Sequence, residues 1–315
     1  MPDDPDEPFV IDTILAHCGA PRAPEAEAHA LPLLAAGDDA AMIDVRTAIT
    51  VDTMVEGVHW DQRLSAEDVG WKLVAANASD INAMGGHPSW ALLSIALPAP
   101  LDRAWVSSFA RGLGAAMRQW QVVIAGGDTT RSPGPRMVSL SLAGDVPTPV
   151  GRHSARPGDE VWVSGPLGGP AAGFAMTGPA NQALRRPAPP IGLGAALAET
   201  DRISAMMDLS DGLRQDLLRL CKASGVGAVI EPDRLPPHPD VLGKDDALSL
   251  MTGFGEEYEL LFTAAPESAE AIQAAAARFD RQPVCIGQIS ADTEGGVRLG
   301  SIAWPELRFT HFGEA

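Results

Sequence analysis

The sequence predicts an α/β (α+β) protein of two domains, and three observations carry that expectation. Short β-prone runs alternate with apolar stripes at helical spacing, a stretch rich in proline and glycine interrupts the chain near its middle, and the length is 315 residues. That length exceeds one ordinary core and suits two domains of roughly 150 residues each.

Taken in order, the first segment, Met1-Pro2-Asp3-Asp4-Pro5-Asp6-Glu7-Pro8, is acidic and proline-rich. It is the opposite of a basic leader followed by an apolar stretch, so residues 1–8 are expected to be a disordered tail on a cytoplasmic protein. Ala48 to Asp52 is β-prone and follows a Gly37-Asp38-Asp39 turn. Ser65 with Asp68 three residues later forms a capping box and predicts a helix to about Met84. Gly85-Gly86 stops that helix, Pro88 forbids its continuation, and Trp90 to Leu97 reads as the next strand. Asp102 is an N-cap for a second helix whose stripe is Val106, Phe109, Leu113, Met117 and Trp120. Val122 to Ala125 reads as a short strand ending at Gly126-Gly127-Asp128, and Met137 to Leu142 alternates like a half-buried strand. These elements are assigned to a first domain over residues 9–148.

Between Pro147 and Gly158 lie three prolines and two glycines, which is linker chemistry, and the second domain is expected over residues 149–315. In it, Glu160 to Val163 reads as a strand, Gly168 to Met176 as a small-residue helix, and Ala205 to Asp208 as a strand. Leu213, Leu217, Leu220 and Cys221 then mark a helix. After proline-rich loops at 186–190 and 235–239 come a strand at Glu259 to Thr263, a helix over Ser268 to Phe279 and a strand at Val284 to Gln288.

Composition excludes several function classes. The formal net charge of −18 opposes binding to nucleic acid through a basic surface, while a small phosphorylated ligand stays possible if divalent cations invert the local field. No apolar run approaches the ~18 residues of a membrane span, so no membrane partner is expected. Cys18, Cys221 and Cys285 are odd in number and lack metal-ligand spacing, which argues for isolated thiols. Neither a Walker loop nor a dinucleotide-binding glycine motif is present, and no zinc or nucleophile-elbow pattern occurs.

The informative pattern is the placement of aspartates at element ends: Asp38 and Asp39, Asp52, Asp80, Asp128, Asp208 and Asp211. Carboxylates at such edges can converge on one cleft, where they repel unless cations neutralise them, and magnesium prefers carboxylate and phosphate oxygens. In Asp208-Leu209-Ser210-Asp211-Gly212 a helix start falls beside possible ligands, although Ser210 or Asp211 could equally serve as a plain cap. The residues alone thus describe an acidic, metal-dependent, phosphate-handling enzyme.

Several motifs in one order resemble the thiamine-monophosphate kinase family. They are Gly37-Asp38-Asp39-Ala40, the run from Val51 to Trp60, Gly70-Trp71-Lys72, the run from Asn77 to Gly85, and Gly126-Gly127-Asp128-Thr129-Thr130. Arg152 to Asp159, Met207 to Leu213, and Gly255-Glu256-Glu257-Tyr258-Glu259-Leu260 complete the set. The resemblance implies the two-domain PurM-like fold of the aminoimidazole ribonucleotide synthetase superfamily. Its N-terminal α/β domain binds ATP and magnesium and dimerises, and its C-terminal α/β domain closes the active-site cleft. It further implies ATP as co-substrate, thiamine monophosphate as acceptor, several Mg2+ ions and a homodimer. Carried over by motif, Asp39, Thr50, Asp52, Asp80, Asp128, Asp208 and Asp211 would ligate magnesium, with Asp128 and Asp211 acting electrostatically and no side chain serving as acid or base. Gly127, Asp128, Arg152 and Ser210 would meet ATP, and His59, Glu256 and Phe309 the thiamine phosphate. Val51, Phe254 and Glu257 depart from the family pattern; Val51 removes one hydroxyl and Glu257 lengthens an acidic side chain by a methylene. The resemblance leaves other ATP-dependent synthetases of the superfamily, or a non-catalytic nucleotide-binding paralogue, as alternatives.

Overall fold

Helix α1 (Ala66–Ala83) is the centre of the molecule, and the chain is built around it on two sides. The computed structural model describes residues 37–175, 180–292 and 296–305, so the tail, Cys18 and Phe309 lie outside the described residues. Strands β1 (Ala41–Met42) and β2 (Thr47–Val55) precede α1. After it come β3 (His87–Leu97), helix α2 (Arg103–Gln119), β4 (Val123–Arg131) and β5 (Met137–Asp145). The strands form one sheet in the order β1-β2-β5-β3-β4. β3 and β4 are parallel, with α2 as the crossover between them, and the other neighbours are antiparallel.

Both helix starts follow their local chemistry. The Ser65 hydroxyl accepts from the Asp68 backbone N–H while the Asp68 carboxylate accepts from the Ser65 backbone, and Asp102 accepts the Trp105 N–H at 2.9 Å. Leu73, Val74 and Ile81 of α1 and Phe109, Leu113 and Met117 of α2 share one buried core with Val138, Leu140 and Leu142 of β5. Both helices cover the same face of the sheet. The opposite face keeps Val51, Trp90, Leu92, Val123 and Met137 exposed.

Two expectations about this half need correction. The Gly126-Gly127-Asp128 segment does not end β4, which runs on to Arg131 paired with β3. A Cβ at Gly127 would overlap the Leu93 carbonyl oxygen, so the glycine serves close approach between strands and not a stop. Asp52 lies inside β2, paired with Leu140, and not at the strand's end.

The second half contains β6 (Glu160–Val163), α3 (Gly169–Phe174), α4 (Gln182–Arg185), α5 (Leu193–Ala198), β7 (Ile203–Asp208) and α6 (Leu213–Ser224). It continues with β8 (Gly227–Ile230), α7 (Ala247–Thr252), β9 (Leu260–Ala264), α8 (Ala269–Ala277), β10 (Val284–Ser290) and β11 (Val297–Leu299). Its sheet has the order β11-β8-β10-β6-β9-β7. β8, β11, α4, α5 and α7 were not anticipated; each has only three to six residues, over which periodicity registers weakly. α5 matters most, since the Asn82 side-chain oxygen at the end of α1 accepts the Gly192 and Gly194 N–H groups at 3.0 Å each. Helix α1 also touches β7. It is buried nearly all round, as expected of a helix enclosed by two layers.

Candidate active site

The acidic residues converge where α1 passes between the two sheets. Asp39 lies just before β1, Asp80 on the last turns of α1 and Asp208 at the end of β7, and one carboxylate oxygen from each lies within 4.8 Å of the other two. Thr50 of β2 donates to Asp80 at 2.6 Å, Ser79 donates to Asp208 at 2.6 Å, and Asn77 accepts the Asp52 backbone N–H at 3.2 Å. Asp39 Oδ2 and Asp208 Oδ1 are buried without a hydrogen-bond partner. Orphaned carboxylate oxygens at such separations leave room for an ion.

Crowding raises the proton affinity of this group. Loss of water pushes Asp39 up to about 6, with Arg152 opposing the rise. Asp52 is pushed up to about 6, first by burial and further by the charge of Asp211, while a hydrogen bond with Asp80 opposes the rise. Burial, then the charges of Asp52, Asp208 and Asp39, hold Asp80 well above the usual carboxylate range, and burial with the charge of Asp39 does the same to Asp208.

Basic and loop groups frame this cluster. Arg152, on the connection between the halves, donates to Asp39 at 2.6 Å, and its backbone N–H donates to Asp38 at 2.8 Å. The loop from Asp208 to Gly212 leads into α6, but neither Ser210 nor Asp211 caps that helix. The N-cap is Gly212, and the Asp211 and Gly212 N–H groups are both accepted at 3.0 Å by buried Asp216 from within α6. Arg219 pairs with Asp211 and, at 3.1 Å, with Asp216.

Beside the cluster opens a cavity of about 460 Å³, within the usual range for small ligands. Asp52, Ser210 and Asp211 line its acidic end; His59, Trp60, Leu64, Phe174, Phe254 and Glu256 line the rest. His59 Nδ1 accepts the Val55 backbone N–H at 3.0 Å, which puts the proton of the neutral ring on Nε2. Phe174 packs against Phe254 at 5.1 Å between ring centres, and the Arg63 guanidinium lies 4.1 Å over the Phe174 ring. The departures at 254 and 257 thus differ in consequence. Phe254 is part of the cavity wall, whereas Glu257 turns away and accepts the Gly168 N–H at 2.6 Å, with burial raising its pKa well above the ordinary value.

The loop carrying Glu256 is held against the Asp208–Asp211 loop. Glu256 N–H donates to Ser210 O at 2.8 Å and Tyr258 N–H to Leu209 O at 2.9 Å. Glu256 and Tyr258 have φ of 67° and 52°, left-handed conformations that cost of order 1–3 kcal/mol each in a non-glycine residue and concentrate at functional sites. A Cβ at Gly255 would overlap the Ser210 carbonyl oxygen, so this crossing admits only glycine.

Asp128 is not brought to the cluster within one chain. Along one row of the sheet Thr53 pairs with Ser139, Ser139 with Ser94, and Ser94 with Asp128, so Asp128 is three strands, ~14 Å, from β2. It shares the exposed face with Thr53, opposite the face on which Asp52 and Thr50 lie. Gly127 is on the same edge strand. Sequence reasoning missed Asp216, Ser79 and Lys72. A buried helical aspartate, serine or lysine carries no turn or glycine signal, and only its long-range partner reveals it.

Residues 37–146 match a family model described as AIR synthase related protein, N-terminal domain, and residues 156–300 match AIR synthase related protein, C-terminal domain. The fold and its paired sheets therefore define an AIR synthase related two-domain protein. A thiamine-monophosphate kinase of Salmonella typhimurium is 36% identical over 280 residues, covering 82% of this chain and 85% of the relative. The crystal structure of thiamine-monophosphate kinase from Stenotrophomonas maltophilia superposes with a TM-score of 0.75 at 33% identity, over 87% of this chain and 93% of that one. The structure of AaThiL complexed with AMPPCP and TMP does so with a TM-score of 0.78 at 29% identity, over 94% of each. The chain belongs to the thiamine-monophosphate kinase family.

Proposed function

We propose that this chain transfers the γ-phosphate of ATP to thiamine monophosphate, giving ADP and thiamine diphosphate. The observation that carries the reading is the junction of the carboxylate cluster with the cavity, since Asp52, hydrogen-bonded to Asp80 of the cluster and close enough to feel the charge of Asp211, lines the cavity together with Asp211. The relatives' activity, and the ligands AMPPCP and TMP bound to AaThiL, support the same pair of substrates here.

The donor set fits magnesium: hard carboxylate oxygens, two of them orphaned, with a threonine hydroxyl beside them and no thiolate or imidazole among the three clustered groups. Asp39, Thr50, Asp52, Asp80, Asp208 and Asp211 would hold several Mg2+ ions. When bound, magnesium supplies charge neutralisation at the β- and γ-phosphates. Arg152 and Ser210 orient the triphosphate, and His59 and Glu256 the acceptor; Phe309 is proposed to join them from outside the described residues. An oxygen of the acceptor phosphate attacks the γ-phosphorus in line, and the bond to the β–γ bridging oxygen breaks to release ADP. The acceptor phosphate has a second pKa near ~6 and is largely deprotonated at neutral pH, so positioning suffices and no protein base is required.

A homodimer belongs to this reading, with residues 9–148 as the dimerising half and residues 149–315 closing the cleft. The exposed apolar face of the first sheet, from Val51 through Leu92 and Trp90 to Val123, supports it. A contribution of Gly127 and Asp128 to ATP or metal would then come across that interface. No helix among the described residues is long and apolar enough to cross a membrane, and use of ATP fits work in the cytoplasm.

Incubation with ATP, Mg2+ and thiamine monophosphate, followed by chromatography, tests the reading: ADP and thiamine diphosphate should appear in equal amounts. ADP without thiamine diphosphate would overturn the choice of acceptor. Light scattering should give twice the 32.9 kDa chain mass.

A further inference from the structure

Lys72 is only 1% exposed, and it sits on the wall of the cavity. Its ammonium lies 2.6 Å from both oxygens of Glu256, across 184 residues of sequence. A charge taken out of water this completely requires a partner, and Glu256 supplies it. Lys72, Ala76 and Asp80 succeed each other at intervals of four along one face of α1, and the small Ala76 leaves the cavity open between them. Glu256 itself is 23% exposed at its side chain, and its backbone is pinned in a left-handed conformation by Ser210.

We propose that Lys72 is a positioning residue that cancels the charge of Glu256 and fixes its carboxylate, so that Glu256 reads the acceptor by accepting a hydrogen bond and not by pairing with the acceptor's cationic ring. The inference rests on the kinase reading above. Thiamine monophosphate offers both handles, an aminopyrimidine N–H donor and a thiazolium cation. A carboxylate already neutralised at 2.6 Å attracts the cation weakly but still presents lone pairs to the donor.

The test is a double-mutant cycle in the full chain, with thiamine monophosphate and ATP varied separately and binding of each measured by calorimetry. Lys72→Met should raise KM for thiamine monophosphate by about tenfold or more, as for an orphaned buried charge, and leave KM for ATP within about twofold. Lys72→Arg should restore most of the loss. Lys72→Met/Glu256→Gln, which removes both charges and keeps an acceptor oxygen, should bind thiamine monophosphate better than either single variant. Additive losses in the double variant, an unchanged acceptor KM in Lys72→Met, or equal losses for both substrates would overturn the proposal. Should Lys72→Met not fold, the double variant decides: acceptor binding within about tenfold of wild type supports the proposal, and its abolition overturns it. A wild-type chain that produces no thiamine diphosphate overturns the kinase reading and this inference together, whereas an active wild type with an indifferent Lys72→Met overturns this inference alone.

Discussion

Helix α1 meets charge in opposite ways at its two ends. Around Asp80, carboxylates outnumber cations: Arg152 serves Asp39, while the partners of Asp80 and Asp208 include the hydroxyls of Thr50 and Ser79. Around Lys72, some eight residues or ~12 Å back along the helix, one carboxylate meets one ammonium. The first end is complete only when cations arrive from outside; the second is complete within the chain. One helix therefore sets the spacing between the proposed metal end of the cavity and the proposed acceptor end.

The largest effect that could break this contrast is on turnover. Asp80→Asn should lower kcat on the order of 10²-fold or more, comparable with losing one strong electrostatic stabiliser, while raising the thermal stability of the metal-free protein by removing a repelling charge. Steady-state assays and thermal melts check both, and a fully active variant would end the assignment of the acidic end.

Gly255→Ala probes the crossing that joins the two ends. Its Cβ meets the Ser210 carbonyl, so a loss of about 1–3 kcal/mol in urea unfolding is expected, together with a raised acceptor KM. Unchanged stability would mean the two loops separate freely.

Protonation sharpens the comparison further. Burial pushes Asp39 and Asp52 up to about 6 in the folded chain, above the ordinary 3.8, so the folded state binds more protons between those values than the unfolded chain does. Their effect on the metal-free fold is therefore a penalty that is absent below about pH 4, grows as the pH rises and is complete above about pH 6. Magnesium relieves it, so the gain in Tm on adding Mg2+ should be larger at pH 7.5 than at pH 5. A gain independent of pH would separate the ion from these carboxylates.

The smallest effect is expected at Glu257. Shortening it to aspartate withdraws the acceptor from the Gly168 N–H, at a cost of about 1 kcal/mol, with little change in either KM because the side chain points away from the cavity. A large rise in acceptor KM would return residue 257 to the substrate site.

Much of the scaffold was legible because it is encoded locally. Ser65 and Asp102 cap helices that begin one residue later, and the stripe in α2 is the face that buries. The strand at Glu160–Val163 has the bounds its composition suggested. Where the reading failed, a local signal had more than one use or the deciding partner lay elsewhere in the chain. Gly126-Gly127 looked like a stop and is an interior edge-strand pair, and the start of α6, which could equally have been capped by Ser210 or Asp211, has the Asp211 and Gly212 N–H groups taken by Asp216 from inside the helix.

The sequence by itself determined the caps of α1 and α2, the order of the longer elements and an excess of carboxylates placed for phosphate and metal chemistry, since these depend on neighbours a few residues apart. Only the tertiary structure decided which acidic groups share a site. It gathered Asp39, Asp80 and Asp208, left Asp128 on the far face of a sheet, and joined Lys72 to Glu256. The reason is geometric. Whether two charges repel or neutralise each other falls off over a few ångströms, and distances that short between residues far apart in the chain are set by the packing of two sheets on one helix.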